Sequence, residues 1–418
     1  MTLNLYMEKI GKKSLAASNN LSNITIKLRN AVLKQYSIYL HSYAKQILEA
    51  NKKDIYKAKK MKINTISRLE LNKKKINEIR KSINEIIKFK DPIGKILSSW
   101  KRPNGLIIKK ISTSIGVIGV IYESRPNVTS DVSALCFKSG NSVILRGGSE
   151  AFYSNKILSN LFRKALKKKN CDINCVQFVD SKNRKNVDYL LSKMQKYVDV
   201  IIPRGGKQLV KKVREISKVP TIGHLEGLCH VYVDKDASLD MAIKVVKNAK
   251  MRNFSICGAA ETLLIDKKCI KTHCKPILTE LTKIGCKIIG DSKIKNNFSK
   301  KIETATKKDW GTEYLSPTIS VKCVNGVLDA IDHINNYGTL HTDAIVTKNK
   351  KTAQKFLSKV DSSIVIHNAS TQFADGGEFG FGAEVGISTE KLHPRGPVGL
   401  EQLTSYKYIL EGKGQIRK

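Results

Sequence analysis

Hydrophobic residues recur at helical spacing through the first 95 residues of the chain. The clearest run is Ile26, Leu28, Leu33, Tyr36, Leu40, Tyr43 and Ile47. Intervals of this kind place an apolar stripe on one face of a helix. Pro92-Ile93-Gly94 ends the pattern. The next segment, Trp100 to Ser114, contains the turn signal Pro103-Asn104-Gly105, which predicts a hairpin or a pair of strands.

Short apolar strands and helices alternate from Ile115 onward. The predicted strands are Ile115 to Tyr122, Ser142 to Leu145, Cys175 to Val179 and Val198 to Ile202. The predicted helices are Val132 to Lys138, Ser149 to Lys169, Val187 to Met194 and Gly206 to Ile216. This alternation is typical of βαβ units, in which a helix connects two parallel strands of one sheet.

A second α/β region is predicted over about residues 231 to 385. Its elements are the strand Val231 to Val233, the helix Leu239 to Met251, and the apolar segments Ala344 to Val346 and Ser363 to Ile366. The tail from Val398 is predicted to form a short helix and then a strand over Tyr406 to Leu410. No internal repeat of fixed period is visible.

The composition fits a protein that folds in water, with several hydrophobic cores and with its cysteines reduced. Of the 418 residues, 41% are hydrophobic, so two or three lobes are expected. No apolar stretch reaches roughly 18 residues, and the N-terminal segment is polar, so neither a membrane span nor a secretory signal is expected. The nine cysteines are scattered without repeated spacing. Such a set favours free thiols in the cytoplasm over a disulfide framework.

The net charge of +39 admits a nucleic-acid-binding protein as an alternative. The lysines, however, are spread over nearly every segment, including predicted helix surfaces such as Lys167 to Lys169 and Lys348 to Lys351. Aromatic residues make up only 6% of the chain. A drift of composition towards lysine on solvated faces is therefore favoured over a nucleic-acid role.

Cys257 is the first candidate for chemistry. The small residues Gly258, Ala259 and Ala260 follow it at once and leave little side-chain bulk around the sulfur. A carbonyl carbon would have room to approach. A free cysteine is nevertheless more often a small buried hydrophobe than a nucleophile, so this segment alone leaves both interpretations open.

Two predicted strands are each followed by Arg-Gly-Gly and a helix. The units are Ser142 to Ala151 and Asp199 to Val210. Glycines after a parallel strand allow a tight turn and expose N–H groups where a helix begins, and an arginine there adds a forked cationic donor for phosphate. One such unit could be an ordinary turn, but two favour a dinucleotide site. The GxGxxG fingerprint is absent.

With Cys257, the segment Gly116 to Ala151 resembles the aldehyde dehydrogenase superfamily. Its Gly-Val-x-Gly strand corresponds to the one that leads to the catalytic chamber in that superfamily, and its Gly-Asn strand to the one that leads to the adenosine site. Three further segments resemble the γ-glutamyl phosphate reductase family: Gly311 to Leu315, His333 to Thr347 and His367 to Lys407. The resemblance covers about residues 5 to 415.

The resemblance implies an α/β fold of the aldehyde dehydrogenase type. A parallel-sheet NADP-binding domain would cover residues 1–97 and 116–230, and an α/β catalytic domain residues 231–395. A small β flap, residues 98–115 and 396–418, would extend a neighbour's sheet and give a homo-oligomer. Because no segment resembles an amino-acid kinase, a stand-alone enzyme is expected.

The activity that the resemblance implies is the NADPH-dependent reduction of L-glutamate 5-phosphate in proline biosynthesis. The thiolate of Cys257 would displace phosphate to give a thioester, and hydride would convert that thioester to L-glutamate 5-semialdehyde. This product cyclises to 1-pyrroline-5-carboxylate. A glutamate 5-kinase would supply the substrate. The nearest alternative is an aldehyde dehydrogenase that oxidises its substrate with NAD(P) and water.

The resemblance also implies roles for particular residues. Besides the catalytic Cys257, the expected substrate-binding residues are Arg125, Asn253, Asn368, Ser370 and Thr371. The expected cofactor-binding residues are Arg146, Gly147, Gly148, Ser149, Arg204, Gly205, Gly206 and Glu313. Glu313 matches the superfamily glutamate that hydrogen-bonds the nicotinamide ribose.

Three positions depart from ordinary aldehyde dehydrogenases. Arg125 stands where those enzymes place an asparagine, and it would hold the substrate phosphate or oxyanion unless it forms a structural ion pair with Glu123 or another acid. Arg146 replaces a lysine and, with Ser149, would accept a 2′-phosphate, which favours NADP. Glu226 lies near the place of the hydrolytic base, but a reductase must avoid hydrolysis, so no such role is assigned to it.

No metal site is expected from the sequence. Cys269 to Cys274 and the pair Cys171 and Cys175 lack a second pair at zinc-ligand spacing. His224 and His230 flank Glu226 in the sequence and are expected to be packed or hydrogen-bonded rather than catalytic, with contact to the substrate as the alternative.

Overall fold

The computed structural model describes residues 2–60 and 66–417, which fold into two compact units. Unit 1 comprises Met1–Gly223, Gly380–Gly386 and Val398–Lys418. Unit 2 comprises His224–Phe379 and Ile387–Pro397. Residues 61–65, part of the predicted helical region, lie outside the described residues.

Unit 1 begins with the predicted helices. They are α1 (Leu3–Leu21), α2 (Ile26–Ser42), α3 (Ala44–Lys60), α4 (Ile66–Leu69) and α5 (Lys73–Lys88). Side chains cap three of them: Thr2, Thr25 and Asn72 each accept a hydrogen bond from a backbone N–H of the first turn. The apolar face of α5 is buried in the core of the unit.

The predicted hairpin follows and is confirmed. Strands β1 (Ile96–Lys101) and β2 (Ile107–Ser114) pair antiparallel. Gly105 has a φ of +88° in the connecting turn, a conformation that glycine adopts without steric cost.

The βαβ alternation of unit 1 is also confirmed. Its strands are β3 (Val117–Tyr122), β4 (Ser142–Gly147), β5 (Val176–Phe178) and β6 (Val200–Arg204). Its helices are α6 (Asn127–Lys138), α7 (Phe152–Lys168), α8 (Lys185–Lys193) and α9 (Lys207–Ile216). The strands form a parallel sheet in the order β5-β4-β3-β6.

The sheet order brings the carboxyl ends of three strands together. Tyr122 at the end of β3 pairs with Gly147 of β4 on one side and with Arg204 of β6 on the other. The chain leaves β3 for β4 on one side and later returns to add β6 on the opposite side. In open α/β sheets, ligands bind beyond the carboxyl ends of the strands at such a switch point.

Unit 2 has a larger parallel sheet. Its strands are β7 (Cys229–Val233), β8 (Ala260–Asp266), β9 (Lys287–Gly290), β10 (Glu303–Thr304), β11 (Thr318–Val324), β12 (Thr342–Val346) and β13 (Ile364–His367). They lie in the order β10-β9-β11-β8-β7-β12-β13. Its helices are α10 (Leu239–Met251), α11 (Ile270–Lys283), α12 (Ser292–Asn297), α13 (Val327–Tyr337) and α14 (Lys350–Lys359).

The C-terminal segment completes the hairpin sheet of unit 1. After the short paired strands β14 (Gly386–Ser388) and β15 (Gly396–Val398), strand β16 (Thr404–Glu411) pairs antiparallel with β2. The sheet order is β1-β2-β16, so β1 and β16 are its edges. Large apolar side chains on these two edge strands are exposed: Ile96, Leu97, Trp100, Tyr406, Tyr408 and Leu410.

Both α/β regions were predicted from the sequence, and the mixed α/β fold with parallel sheets is confirmed. Among the described residues, no helix has the length and apolarity that crossing a bilayer requires.

Candidate active site

Cys257 lies in the loop between α10 and β8 of unit 2. The loop is held by Asn253, whose Oδ1 accepts hydrogen bonds from the N–H of Ser255 at 3.2 Å and from its hydroxyl at 2.9 Å. After the thiol, a Cβ on Gly258 would lie 3.2 Å from the carbonyl oxygen of Thr371. Cys257 itself packs against a small apolar cluster that includes Ala374.

A glycine on the neighbouring loop allows this packing. A Cβ on Gly227 would lie 2.6 Å from the Cβ of Cys257, closer than real carbon contacts come. The N–H of Gly227 donates to Oε1 of Glu313 at 2.8 Å. The loop before β7 therefore lies directly against the thiol and also fixes Glu313.

Two imidazoles lie beside the thiol. The side chains of His224, Cys257 and His341 each offer one possible ligand atom, and these three atoms lie within 4.8 Å of one another. The two rings meet edge to face, with centroids 4.9 Å apart. Nδ1 of His224 is 2.8 Å from the carbonyl oxygen of Ile387. His341 is fully buried, and its Nδ1 is 3.0 Å from the hydroxyl of Thr342.

The imidazoles change the acidity of the thiol. Burial by itself raises the pKa of Cys257, but the nearby charge of His341, then that of His224, and an interaction of the thiol with the His224 ring bring it well below its ordinary value. The other eight cysteines are all in the described part of the chain, and burial raises the pKa of each. Cys257 is therefore the thiol best suited to act as a nucleophile.

Glu313 lies close enough to this cluster to interact with it. Burial raises the pKa of Glu313, the N–H of Gly227 lowers it, and the nearby Cys257 and Glu226 raise it further. The structure thus brings Glu313, Glu226, Cys257 and the imidazole of His224 into one charged group within unit 2.

The predicted substrate residues after β13 serve local structure. Oδ1 of Asn368 accepts from the N–H of Thr347 at 2.9 Å, and its Nδ2 donates to the carbonyl of Thr347 at 3.0 Å. Ser370 caps the single turn Thr371–Phe373. The hydroxyl of Thr371 is buried with no hydrogen-bond partner. Of these three residues, Thr371 lies next to the Cys257 turn, because its carbonyl oxygen is close to Gly258.

The first Arg-Gly-Gly turn of unit 1 holds a carboxylate. Glu150 accepts hydrogen bonds from the N–H of Ser124 at 2.8 Å and from its hydroxyl at 3.0 Å. A Cβ on Gly148 would lie 2.5 Å from Oε2 of Glu150, so a larger residue there would displace that carboxylate. Ser149 begins a short 3₁₀ turn that leads into α7.

The second Arg-Gly-Gly turn also contacts a carboxylate, that of Glu123. The N–H of Gly206, where α9 begins, donates to Oε2 of Glu123 at 2.8 Å. A Cβ on Gly205 would meet the same carboxylate at 2.5 Å. Arg204 lies 3.6 Å from Oε1 of Glu384. A cofactor phosphate would compete with Glu123 for the Gly206 donor, and the predicted phosphate contacts stay predictions.

The other two predicted arginines of unit 1, Arg146 and Arg125, differ in setting. Arg146 is buried and donates hydrogen bonds to the carbonyls of Gly147 and Lys182, while its Nε lies buried without a partner. Arg125 lies in the turn before α6, where its carbonyl accepts from the N–H of Val128. Their roles towards phosphate stay predictions.

The structure also shows where the other histidines and cysteines named in the sequence analysis lie. His230 is hydrogen-bonded as expected, since its Nδ1 lies 2.8 Å from Oδ1 of Asp343 in the buried core. Cys269 and His273 make local hydrogen bonds, chiefly to backbone carbonyls and a threonine hydroxyl. The meeting of His224 and His341 at Cys257 was missed, although His341 lies in a segment that carried the family resemblance.

Comparisons with known proteins agree on one family. Curated proteins named gamma-glutamyl phosphate reductase from Brucella suis and Parvibaculum lavamentivorans are each 47% identical to the chain. The first match covers 98% of both chains, and the second covers 99% of this chain and 98% of the relative. No family model matches.

Solved structures give the same result. The crystal structure of gamma-glutamyl phosphate reductase from Thermotoga maritima is 41% identical, with a TM-score of 0.96 over 99% of this chain and 100% of that one. An acetylating aldehyde dehydrogenase from Geobacillus thermoglucosidasius is 15% identical, with a TM-score of 0.70 over 100% of this chain and 98% of that one. The second likeness concerns the fold alone.

Proposed function

The chain belongs to the γ-glutamyl phosphate reductase family, and on that premise we propose that it reduces L-glutamate 5-phosphate to L-glutamate 5-semialdehyde and phosphate. The semialdehyde cyclises to 1-pyrroline-5-carboxylate on the route to proline. The observation that carries the proposal is the position of Cys257 beside two imidazoles and directly before the small residues Gly258 and Ala259.

The thiolate of Cys257 is the proposed nucleophile. Its sulfur forms a bond to the acyl carbon, and the carbon–oxygen bond to phosphate breaks with its electron pair on phosphate. Because phosphate is a good leaving group, this step needs no acid of the kind that expels an amine or alkoxide. NADPH supplies the hydride that reduces the resulting thioester. The carbon–sulfur bond then breaks, and Cys257 is again a thiolate.

His224 and His341 are proposed to keep that sulfur ionised. The carbonyl of Ile387 can only accept a hydrogen bond, so Nδ1 of His224 carries a proton and Nε2 remains to accept one from the thiol. The resulting imidazolium stabilises the thiolate. Glu226 is not proposed as a hydrolytic base, because water would destroy the thioester before reduction.

The NADPH-binding residues are proposed at the joined carboxyl ends of β3, β4 and β6 in unit 1. Arg146 with Ser149 would bind the 2′-phosphate, and the Gly147-Gly148 and Arg204-Gly205-Gly206 turns would border the phosphates. Glu313 is proposed separately, from the family resemblance, as the residue that hydrogen-bonds the nicotinamide ribose. The switch point of the sheet and the two helix starts fit a dinucleotide. Glu123 and Glu150 would have to release or share their backbone donors.

Arg125, Asn253, Asn368, Ser370 and Thr371 are proposed to bind the substrate. The cation of Arg125 suits the acyl phosphate, and the unpartnered hydroxyl of Thr371 next to the Cys257 turn offers a polar contact. We further propose a cytoplasmic homo-oligomer supplied by a glutamate 5-kinase. The exposed apolar residues of β1 and β16, on sheet edges that pair with no further strand within residues 2–60 and 66–417, support an assembly surface.

The experiment that tests the reaction runs it in reverse. L-Glutamate 5-semialdehyde and NADP⁺ are supplied with and without inorganic phosphate, and NADPH is followed by absorbance. The reductase requires phosphate, because phosphate must cleave the thioester. NADPH formation at the same rate without phosphate would instead indicate an oxidising aldehyde dehydrogenase.

A further inference from the structure

We propose that His224, Cys257 and His341 form a reversible binding site for Zn²⁺ whose occupation blocks the thiol. The three residues come from the loop before β7, the loop before β8 and the residue just before β12, all within unit 2. Within the described part of the chain, one group of three histidine, cysteine or carboxylate side chains has ligand atoms close enough together to hold a metal, and it is this one.

The ligand set suits zinc. Thiolate sulfur and imidazole nitrogen are its usual ligands, with bonds of about 2.3 and 2.0 Å. Tetrahedral ligands at these bond lengths lie roughly 3.5 Å apart. The widest separation in the structure is within 4.8 Å, so the side chains need to close by little more than 1 Å. Cys257 and His224 are both partly exposed and have room to adjust.

The surroundings of both imidazoles support coordination. A zinc-bound histidine normally donates its other ring N–H to a carboxylate or backbone carbonyl, which is the contact that His224 makes with Ile387. His341 is fully buried, and its Nε2 has no hydrogen-bond partner. A buried ring nitrogen left without a partner is costly, and binding a metal would satisfy it.

The nearby charges favour a cation. Glu313 interacts electrostatically with Cys257 and His224, and also with Glu226. Three protein ligands leave the fourth zinc position open to water, which is typical of exchangeable rather than closed structural sites. Coordination withdraws electron density from the sulfur and crowds the approach to it, so bound zinc is expected to block attack on an acyl phosphate. Metal binding does not depend on the proposed reaction, whereas the inhibition does.

The test uses cobalt and zinc on the chelator-treated full chain, without substrate. Co²⁺ is expected to bind in one equivalent and to give a sulfur-to-cobalt charge-transfer band in the near ultraviolet, which Zn²⁺ then displaces. Cys257→Ser should lose the band. His224→Ala and His341→Ala should each weaken binding at least about 10-fold, since losing even a second-shell partner costs that much. His41→Ala, at an exposed histidine of unit 1, should bind like the wild type.

A second measurement needs no variant. Saturating Zn²⁺ should protect Cys257 from iodoacetamide, as read by peptide mass spectrometry, and EDTA should restore its labelling. Equal labelling with and without zinc, a charge-transfer band in Cys257→Ser, or unweakened binding in both histidine variants would overturn the site. Full reductase activity with zinc bound would overturn the inhibition. Full activity of Cys257→Ser would overturn the proposed reaction while leaving the metal result intact.

Discussion

Nδ1 of His224 lies 2.8 Å from the carbonyl oxygen of Ile387. Because a carbonyl only accepts hydrogen bonds, this contact fixes the proton of the neutral ring on Nδ1. The other ring nitrogen can then accept the thiol proton of Cys257. A backbone carbonyl thus determines which atom of His224 is available for chemistry.

The first prediction concerns the acidity of Cys257. Its pKa is lowered in the folded protein, so the thiolate is present above that lowered value and is lost only as the pH falls through it. The rate of iodoacetamide labelling of Cys257 should therefore reach its plateau at a lower pH than the rate of a free cysteine does, and fall only as the pH drops through the lowered pKa. A free cysteine, with a pKa of about 8.5, would lose rate well above neutrality.

Removing either imidazole should raise the midpoint of that labelling profile. In His341→Ala and His224→Ala the thiol keeps its burial but loses a neighbour that favours the anion, so its pKa moves upward. His41→Ala should leave the midpoint unchanged. Midpoints in both active-site variants equal to that of the wild type would show that the rings do not ionise the thiol.

A second prediction tests the contact between Gly227 and Cys257. A methyl group at Gly227 would overlap the Cβ of Cys257, so Gly227→Ala must displace the thiol or the loop. We expect kcat to fall by about 100-fold, the scale of loss for a misplacement of roughly 1 Å. Gly311→Ala is the control, because a Cβ at Gly311 meets nothing within 4 Å. Equal kcat values for the two variants would disprove the tight contact.

A third prediction concerns stability. Lys250 and Glu261 form a buried ion pair with Nζ 2.6 Å from Oε2. Lys250→Met should destabilise the protein by about 3–5 kcal/mol, because it leaves the carboxylate buried without its cation. The double variant Lys250→Met/Glu261→Gln should recover much of that loss. Urea unfolding of all three proteins measures both effects, and a double variant less stable than the single one would refute the argument.

A fourth prediction separates two roles of Arg146. If it binds the 2′-phosphate, Arg146→Ala should raise KM for NADPH by about 10- to 100-fold, as expected for a lost charge-assisted hydrogen bond. KM for NADH, which lacks that phosphate, should change little. Because Arg146 also bonds two backbone carbonyls, thermal unfolding must accompany the kinetics. Equal increases in both KM values would indicate a structural role.

The elements that could be predicted from the sequence are those with a strong local signal. The predicted helix Leu239 to Met251 has the same bounds in the structure, and the predicted strand Ser142 to Leu145 falls within β4. Their apolar positions and flanking turn residues are close in the sequence. The family resemblance, confirmed by the relatives, added the reaction and the nucleophile.

Contacts between distant segments could not be predicted in the same way. His224, Cys257 and His341 are far apart in the sequence, and only the strand order of unit 2 brings their loops together. Likewise, no spacing indicates that Glu150 fills the first Arg-Gly-Gly turn. Lys250 looks like one of many surface lysines until its partner Glu261 on β8 is known.

The most direct test of the central claim is the mass of the enzyme after reaction with L-glutamate 5-phosphate in the absence of NADPH. A glutamate kinase and ATP generate the substrate in place, and the protein is quenched in acid and digested. We predict a glutamyl group in thioester linkage on the peptide that contains Cys257, absent from Cys257→Ser and removed by adding NADPH. A wild-type peptide that never carries the adduct, while the same sample reduces substrate once NADPH is added, would contradict the account.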